Sequence, residues 1–225
     1  MTKQVIDTTQ QVLPVMESFY TLQGEGFHQG KAAYFIRLAG CDVGCVWCDV
    51  KDSWDAEKHP RFSIDEIVEK AVDEVSGSRF PVTSNRQAVT SNLPIVVITG
   101  GEPLMHDLTQ LTSALHTAGF QTNIETSGSS ALSGEWDWIC LSPKKFKAPL
   151  PEVVPYAHEL KVVIFHKSDF DWAEQYAALV SPQCKLFLQP EWDKAAQVTP
   201  LIIEYIKANP QWELSLQIHK YINVP

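Results

Sequence analysis

The sequence holds no apolar run near the roughly 18 residues that a membrane-spanning helix requires, so no bilayer partner is expected. Its opening, Met1 to Glu17, is polar and carries no hydrophobic signal region, which points to a cytoplasmic protein. Positive charge is scarce: 18 Lys plus Arg face 27 Asp plus Glu, a net charge of −9. Such a chain generates no field that would gather nucleic acid. Cysteine is sparse and odd in number, five in all, with Cys41, Cys45 and Cys48 crowded together and Cys140 and Cys184 apart. That is a poor disulfide framework and a better metal-binding one. Gly24-Glu25-Gly26 and Gly100-Gly101 match neither the dinucleotide fingerprint nor the phosphate-binding loop, and no internal repeat is present. What remains is a chain of 225 residues, 44% hydrophobic and 20% charged, sufficient for one sizeable core.

Short β-branched runs alternate with helical patterns, which predicts βα units around a mainly parallel sheet. The expected strands are 33–39, 95–99, 122–125, 138–141, 159–164 and 186–188, with 15–22 and 214–218 as further edge strands. Helices are expected over 64–75, with Ser63 and Glu66 forming a capping box, over 108–118 between Asp107 and Gly119, and over 170–179 and 195–208. Two connections, 126–138 and 144–156, are rich in Gly, Ser or Pro and unsuited to full helices. Parallel strands linked so briefly suggest a partial, open α/β barrel of about six parallel strands with trimmed crossover helices. A single domain is expected over 1–225, with the polar stretch near 76–93 as a surface insertion.

The densest chemistry is Cys41-Asp42-Val43-Gly44-Cys45-Val46-Trp47-Cys48, a C-x3-C-x2-C spacing directly after a strand. Three nearby thiolates can wrap a soft-metal centre. Structural zinc would want a fourth ligand, for which Asp49 and His59 are nearest. A 4Fe–4S cluster held by three cysteines would keep one iron open to a ligand. Several strand ends on one edge also carry small or polar groups: Thr99-Gly100-Gly101-Glu102-Pro103, Glu125-Thr126-Ser127-Gly128, Ser142-Pro143-Lys144-Lys145 and Gln189-Pro190-Glu191. That edge is where barrel enzymes assemble sites. Read alone, Gly100-Gly101 is equally a turn, and the lysines at 144, 145 and 147 are equally a solvated loop. Cys140 and Cys184 lie in apolar strand patterns and read as buried small hydrophobes.

The cysteine spacing, with aromatic Trp47 before the third thiol, resembles the radical S-adenosylmethionine (SAM) superfamily. The resemblance implies a 4Fe–4S cluster on Cys41, Cys45 and Cys48, whose open iron chelates SAM and cleaves it reductively to a deoxyadenosyl radical. It also implies that Trp47, Cys48, Asp49, Gly100, Gly101, Glu102, Ser127, Ser142, Pro143, Lys144, Gln189, Pro190 and Glu191 bind SAM, with Glu102 on its amino group. The segment Phe19-Tyr20-Thr21-Leu22-Gln23-Gly24-Glu25-Gly26, the run Phe35-Ile36-Arg37-Leu38 and the ending Leu216-Gln217-Ile218-His219-Lys220-Tyr221 to Pro225 narrow the match. Together with the strand-end motifs they resemble the 7-carboxy-7-deazaguanine synthases along nearly the whole chain. That family converts 6-carboxy-5,6,7,8-tetrahydropterin, with hydrogen abstraction at carbon six, ring contraction and loss of ammonia, on the way to queuosine. The resemblance implies that Leu22, Gln23, Gly24, Glu25, Arg37, Thr99, His219 and Pro225 meet the substrate. It further implies a homodimer and a flavodoxin-type electron donor, and assigns no residue as general acid or base.

One position departs from the family pattern. Members usually carry Thr two residues after the third cysteine, where its hydroxyl helps to hold magnesium, and Val50 stands there. Valine offers no oxygen to an ion that takes six oxygen ligands. The magnesium position is therefore unassigned, with Asp49, Asp52, Ser53, water or the substrate as candidate donors. A glycyl-radical activase shares the cysteine spacing and is the alternative enzyme class; a non-catalytic iron–sulfur or zinc module is the third.

Overall fold

The computed structural model describes residues 11–77 and 94–225. In chain order the elements are β1 (Val12–Leu22), β2 (Ala32–Leu38), β3 (Arg61–Ser63), α1 (Ile64–Ser76), β4 (Ile95–Gly100), α2 (Thr109–Thr117), β5 (Gln121–Thr126), β6 (Trp138–Leu141), β7 (Glu159–Ile164), α3 (Asp169–Ala177), β8 (Lys185–Pro190), α4 (Ala195–Ala208), β9 (Trp212–Leu214) and α5 (Ile218–Ile222). All the strands join one sheet in the order β3-β1-β2-β4-β5-β6-β7-β8-β9. From β2 to β9 every pairing is parallel, whereas β1 pairs antiparallel with both β2 and β3.

Period-two alternation gives the strands two different faces. On β2 and β4, Tyr34, Ile36, Leu38, Val96 and Ile98 turn outward into the core beneath α1 and α2. Leu160, Val162, Ile164 and Leu188 do the same beneath α3 and α4. In α1, Ile64, Ile67 and Ala71 are buried with Val68 and Val75 packed beside them, the i, i+3, i+4, i+7 stripe of an amphipathic helix. Its start is set by a complete capping box, in which Ser63 and Glu66 exchange side-chain and backbone hydrogen bonds.

The sheet curls around its other face. Although β1 and β9 lie near opposite ends of the strand order, the residues after them meet: the Ile218 N–H donates to the Gly24 carbonyl at 2.9 Å, and the Gly26 N–H to Ser215 Oγ at 3.0 Å. Among the described residues the curl does not close into a barrel, because β3 and β9 end the sheet without pairing to each other. The architecture is an open, mixed α/β sheet with a mainly parallel body, and has seven parallel strands among the described residues against the expected six or so.

The connections between β5 and β6 and between β6 and β7 contain no α-helix, in keeping with their Gly, Ser and Pro content. Besides shifts of one to three residues at other ends, such as α3 closing at Ala177 rather than Leu179, three differences from the expected elements stand out. The closing strand expected over 214–218 stops at Leu214, since Ser215 and Gln217 are drawn into side-chain bonds with Gln189 and Glu25 and Ile218 opens α5. Strand β3 was not foreseen, being three residues long. Helix α2 begins at Thr109 rather than Leu108, and Asp107 holds the Thr109 N–H instead. The expected insertion near 76–93 falls almost wholly outside the described residues; Ser76 itself closes α1. No helix among the described residues is long and apolar enough to cross a membrane.

Candidate active site

The C-terminal ends of the parallel strands and the inner face enclose a cavity of about 270 Å3. A second cavity of about 10 Å3 has room for about one water molecule, so of the two the first accommodates organic ligands.

The cysteine loop leaves β2 through backbone that glycine permits. Gly40 and Gly44 have φ of 107° and 73°, in the left-handed half of conformational space that side chains disfavour. The Gly40 N–H donates to the Ser53 carbonyl at 2.7 Å and the Cys41 N–H to the Trp54 carbonyl at 3.1 Å, which ties the loop to the turn behind it. Cys41, Cys45 and Cys48 all open onto the cavity. Burial pushes the Cys41 thiol up, and it pushes Cys45 up to about 11 despite the nearby Lys144. Among the described residues, no three His, Cys, Asp or Glu converge as ligands of a single metal ion. A cluster distributes its ligands over several irons and asks instead for thiolates around a shared space. The three cysteines meet that requirement.

Beside this loop runs the segment leaving β4. A Cβ on Gly101 would overlap the Gly40 carbonyl and the Cys41 side chain, and one on Gly100 would strike the Leu38 backbone. Paired glycines are therefore required for the two loops to touch. The contact is fixed by the Gly101 N–H donating to Leu38 at 2.9 Å and the Glu102 N–H to Gly40 at 2.8 Å. Glu102 is 1% exposed; its carboxylate accepts from the Thr126 and Ser127 hydroxyls and from the Ser127 N–H at 2.8 Å. Thus two motifs assigned to SAM from sequence are directly bonded, and Thr126, not foreseen, joins them.

On the opposite side, Lys144 donates to Ser142 and lies 5.2 Å from the Trp47 ring centroid. Burial pulls its ammonium below the usual lysine range. Gln189, Pro190 and Glu191 at the end of β8 line the same cavity. Pro143 does not: it is buried, and its carbonyl accepts from Trp172 at 3.4 Å. Lys145 and Lys147 pair with Asp169 and Asp42, and Cys140 and Cys184 are buried.

The residues assigned to substrate form the remaining wall. Leu22, Gln23, Gly24, Glu25, Arg37, Thr99, His219 and Pro225 all line the cavity. Gly24 packs so closely under His219 that a Cβ would overlap the imidazole. Burial lowers the His219 pKa, against the pull of Glu25. Arg37 pairs through Nε with Glu17 at 2.7 Å while also facing the cavity. Sequence reasoning passed over Lys161 on β7, whose ammonium lies between Glu25 and Glu125. A charge inside the otherwise apolar run Leu160-Lys161-Val162-Val163-Ile164 was the available signal.

Of the candidate magnesium donors, Asp49 alone lines the cavity, and it pairs with Lys220 at 3.2 Å. Ser53 is buried with its hydroxyl donated to the Val50 carbonyl at 2.6 Å, and Asp52 is exposed elsewhere. His59, the other zinc candidate, bonds the Asp52 carbonyl at 2.7 Å and does not reach the cavity.

Comparison with known proteins then decides the family. The chain is 51% identical to a 7-carboxy-7-deazaguanine synthase of Flavobacterium psychrophilum, over 96% of this chain and 94% of that one. A protein of the same name from Escherichia coli K12 is 36% identical over 94% and 98% of the two chains. The chain belongs to the 7-carboxy-7-deazaguanine synthase family. The crystal structure of QueE from Escherichia coli is similar throughout, with a TM-score of 0.74, 32% identity, and coverage of 91% of this chain and 93% of that one. No family model matches the chain. Membership makes the chain an enzyme of the radical SAM lyase class and fits the cysteine loop and the Gly100-Gly101-Glu102 contact with a resident 4Fe–4S cluster and SAM.

Proposed function

We propose that this chain converts 6-carboxy-5,6,7,8-tetrahydropterin to 7-carboxy-7-deazaguanine with release of ammonia, within a single radical SAM domain whose curled sheet serves as a partial barrel. The observation that carries the proposal is the convergence of both motif sets, cysteine and strand-end residues on one side and Gln23, Glu25, Arg37, Thr99 and His219 on the other, on one cavity. Cys41, Cys45 and Cys48 would hold the cluster, and Glu102, Ser127, Ser142, Lys144 and Gln189 would hold SAM. When bound, the pair supplies one-electron cleavage of a sulfonium and hence a hydrogen-abstracting radical.

The chain's own work is positioning and exclusion of water. The Glu102 carboxylate, already held by Ser127 and Thr126, is oriented to accept from an ammonium group without side-chain reorganisation. Trp47 and Phe146 pack edge to face, 6.1 Å between centroids, and the Trp54 indole donates to the Cys48 sulfur at 3.4 Å. The Gln217 amide and the Lys161 ammonium hold Glu25 toward the cavity. The Gly24 and His219 contact joins the first loop to the last helix across the cavity mouth.

Magnesium belongs to the proposal in a weakened form. With Val50 lacking an oxygen and Asp49 paired to Lys220, turnover should depend on magnesium less than in threonine-bearing relatives. The homodimer, the flavodoxin-type donor and a cytoplasmic setting rest on the family resemblance. The test is anaerobic turnover of iron-reconstituted protein with SAM and carboxytetrahydropterin, with and without a magnesium chelator. The proposal expects 7-carboxy-7-deazaguanine and one ammonia per product, with the rate falling less than about tenfold on chelation, which is one decade of transition-state stabilisation. Collapse of turnover on chelation would refute the magnesium reading alone; absence of product in every condition would refute the substrate.

A further inference from the structure

Lys161 is a strongly buried lysine beside the cavity, and its partners are unusual. Its side chain is 4% exposed, while those of Glu25 and Glu125 are 14% and 23% exposed. The ammonium donates to one oxygen of each carboxylate, to Glu25 Oε2 and, at 3.1 Å, to Glu125 Oε2. The other oxygens are held as well: Gln217 donates to Glu25 Oε1 at 2.9 Å and Gln23 donates to Glu125 Oε1 at 3.0 Å. Both carboxylates are thus fixed in direction, yet both retain acceptor capacity toward the cavity they line.

Two fixed carboxylates side by side suit a ligand edge rich in N–H donors, the arrangement that a ring-embedded guanidine presents. Without a cation between them, adjacent buried carboxylates would not both remain ionised. We propose that Lys161 is a positioning residue for substrate specificity: it holds Glu25 and Glu125 as a paired acceptor for the 2-amino, N3–H edge of a pterin ring. The inference rests on the pterin reading of the substrate and adds which ring edge is read and what enforces the reading.

The charge environment supports it. Lys161 faces Glu25, Glu125, Glu159 and Cys140; burial alone would lower its ammonium, and the carboxylates hold it well above the usual range. Burial would raise the Glu25 carboxyl, but Lys161 and the amides of Gln217 and Gln189 hold it well below the ordinary carboxylate range. His219, Lys144 and Cys140 also feel the charge of Glu25. Glu25 is therefore charged throughout the neutral range.

The test is anaerobic calorimetry on cluster-loaded protein with SAM, using two non-turning probes, 6-carboxypterin and 6-carboxylumazine. The second replaces the 2-amino group by oxygen. Wild type should prefer the pterin by about 10- to 100-fold, a range set by one or two charge-assisted hydrogen bonds, with affinity flat from pH 7.5 to 5. In Lys161→Met the preference should shrink to about threefold or less, since the charge-assisted bonds are lost, and pterin affinity should fall as pH drops, because the carboxyls then protonate. Lys161→Arg should restore both the preference and the flat profile. Because Lys161→Met strands two buried carboxylates, the double variant Lys161→Met/Glu125→Gln, with the same net charge as wild type at this cluster, is measured beside it. It should fold and still fail to discriminate. A variant that loses affinity equally for both probes, or keeps full preference without the cation, would overturn the role of Lys161. Wild type that binds neither probe would overturn the pterin reading itself and this inference with it.

Discussion

The two faces of the sheet are built from the same strands and obey different physics. On β4, Val96 and Ile98 enter the apolar core beneath α1 and α2, while Thr99 turns to the cavity. On β7, Leu160 and Val162 are core, and Glu159 and Lys161 between and beside them are buried charges. The outer face is held by non-directional burial, which tolerates drift in detail. The inner face has a small apolar cluster of Ala33, Ile95, Val97 and Phe35, but around the cavity it is held by directional bonds among Glu25, Lys161, Glu125, Gln23 and Gln217, where an unpaired group is costly. Fold is carried by one face and chemistry by the other, so substitutions should separate stability from activity.

The largest separation is expected at the cysteine loop. Cys45→Ala should reduce product formation by more than about a thousandfold, since cluster ligation fails, while denaturant unfolding of the metal-free protein shifts by only about 1 kcal/mol. Next is the outer face: Leu111, fully buried beneath the sheet, should cost about 2–5 kcal/mol as Leu111→Ala, with kcat/KM of the protein that remains folded within about threefold of wild type, too small a change to signal a lost transition-state contact. An equal loss of activity and stability in either variant would erase the distinction between the faces.

A smaller effect distinguishes the faces by pH. Glu25 is lowered from 4.5 to about 2 in the folded protein, so its contribution is fully present above pH 4.5 and is lost as the pH falls toward about 2. Lys161, raised above 10.5, contributes below that pH and loses its contribution only as the pH rises through its folded value. Acid titration of stability should therefore be steeper for wild type than for Glu25→Gln. Leu111→Ala should lower the whole curve without changing its slope.

How much was legible beforehand follows the same division. Strands 138–141 and 159–164 were read with the boundaries found, and the Ser63 and Glu66 cap fixed the start of α1, because local pattern and burial agree there. The cysteine loop and Gly100-Gly101-Glu102 were legible because their chemistry is contiguous in sequence. The misread closing strand shows the limit: Leu214, Leu216 and Ile218 alternate like a strand, but Ser215 and Gln217 answer to Gln189 and Glu25. Lys161 stands out as a charge in an apolar strand, but its pairing was invisible for the same reason. Its partners lie 136 and 36 residues away, and no local pattern encodes a bond at that separation.

The most direct measurement is anaerobic turnover with carboxytetrahydropterin deuterated at carbon six, with deoxyadenosine and product read by mass spectrometry. The account predicts deuterium in deoxyadenosine together with 7-carboxy-7-deazaguanine. Cleavage of SAM with no deuterium transfer and no product would contradict it, leaving the radical cofactor in place and the substrate wrong.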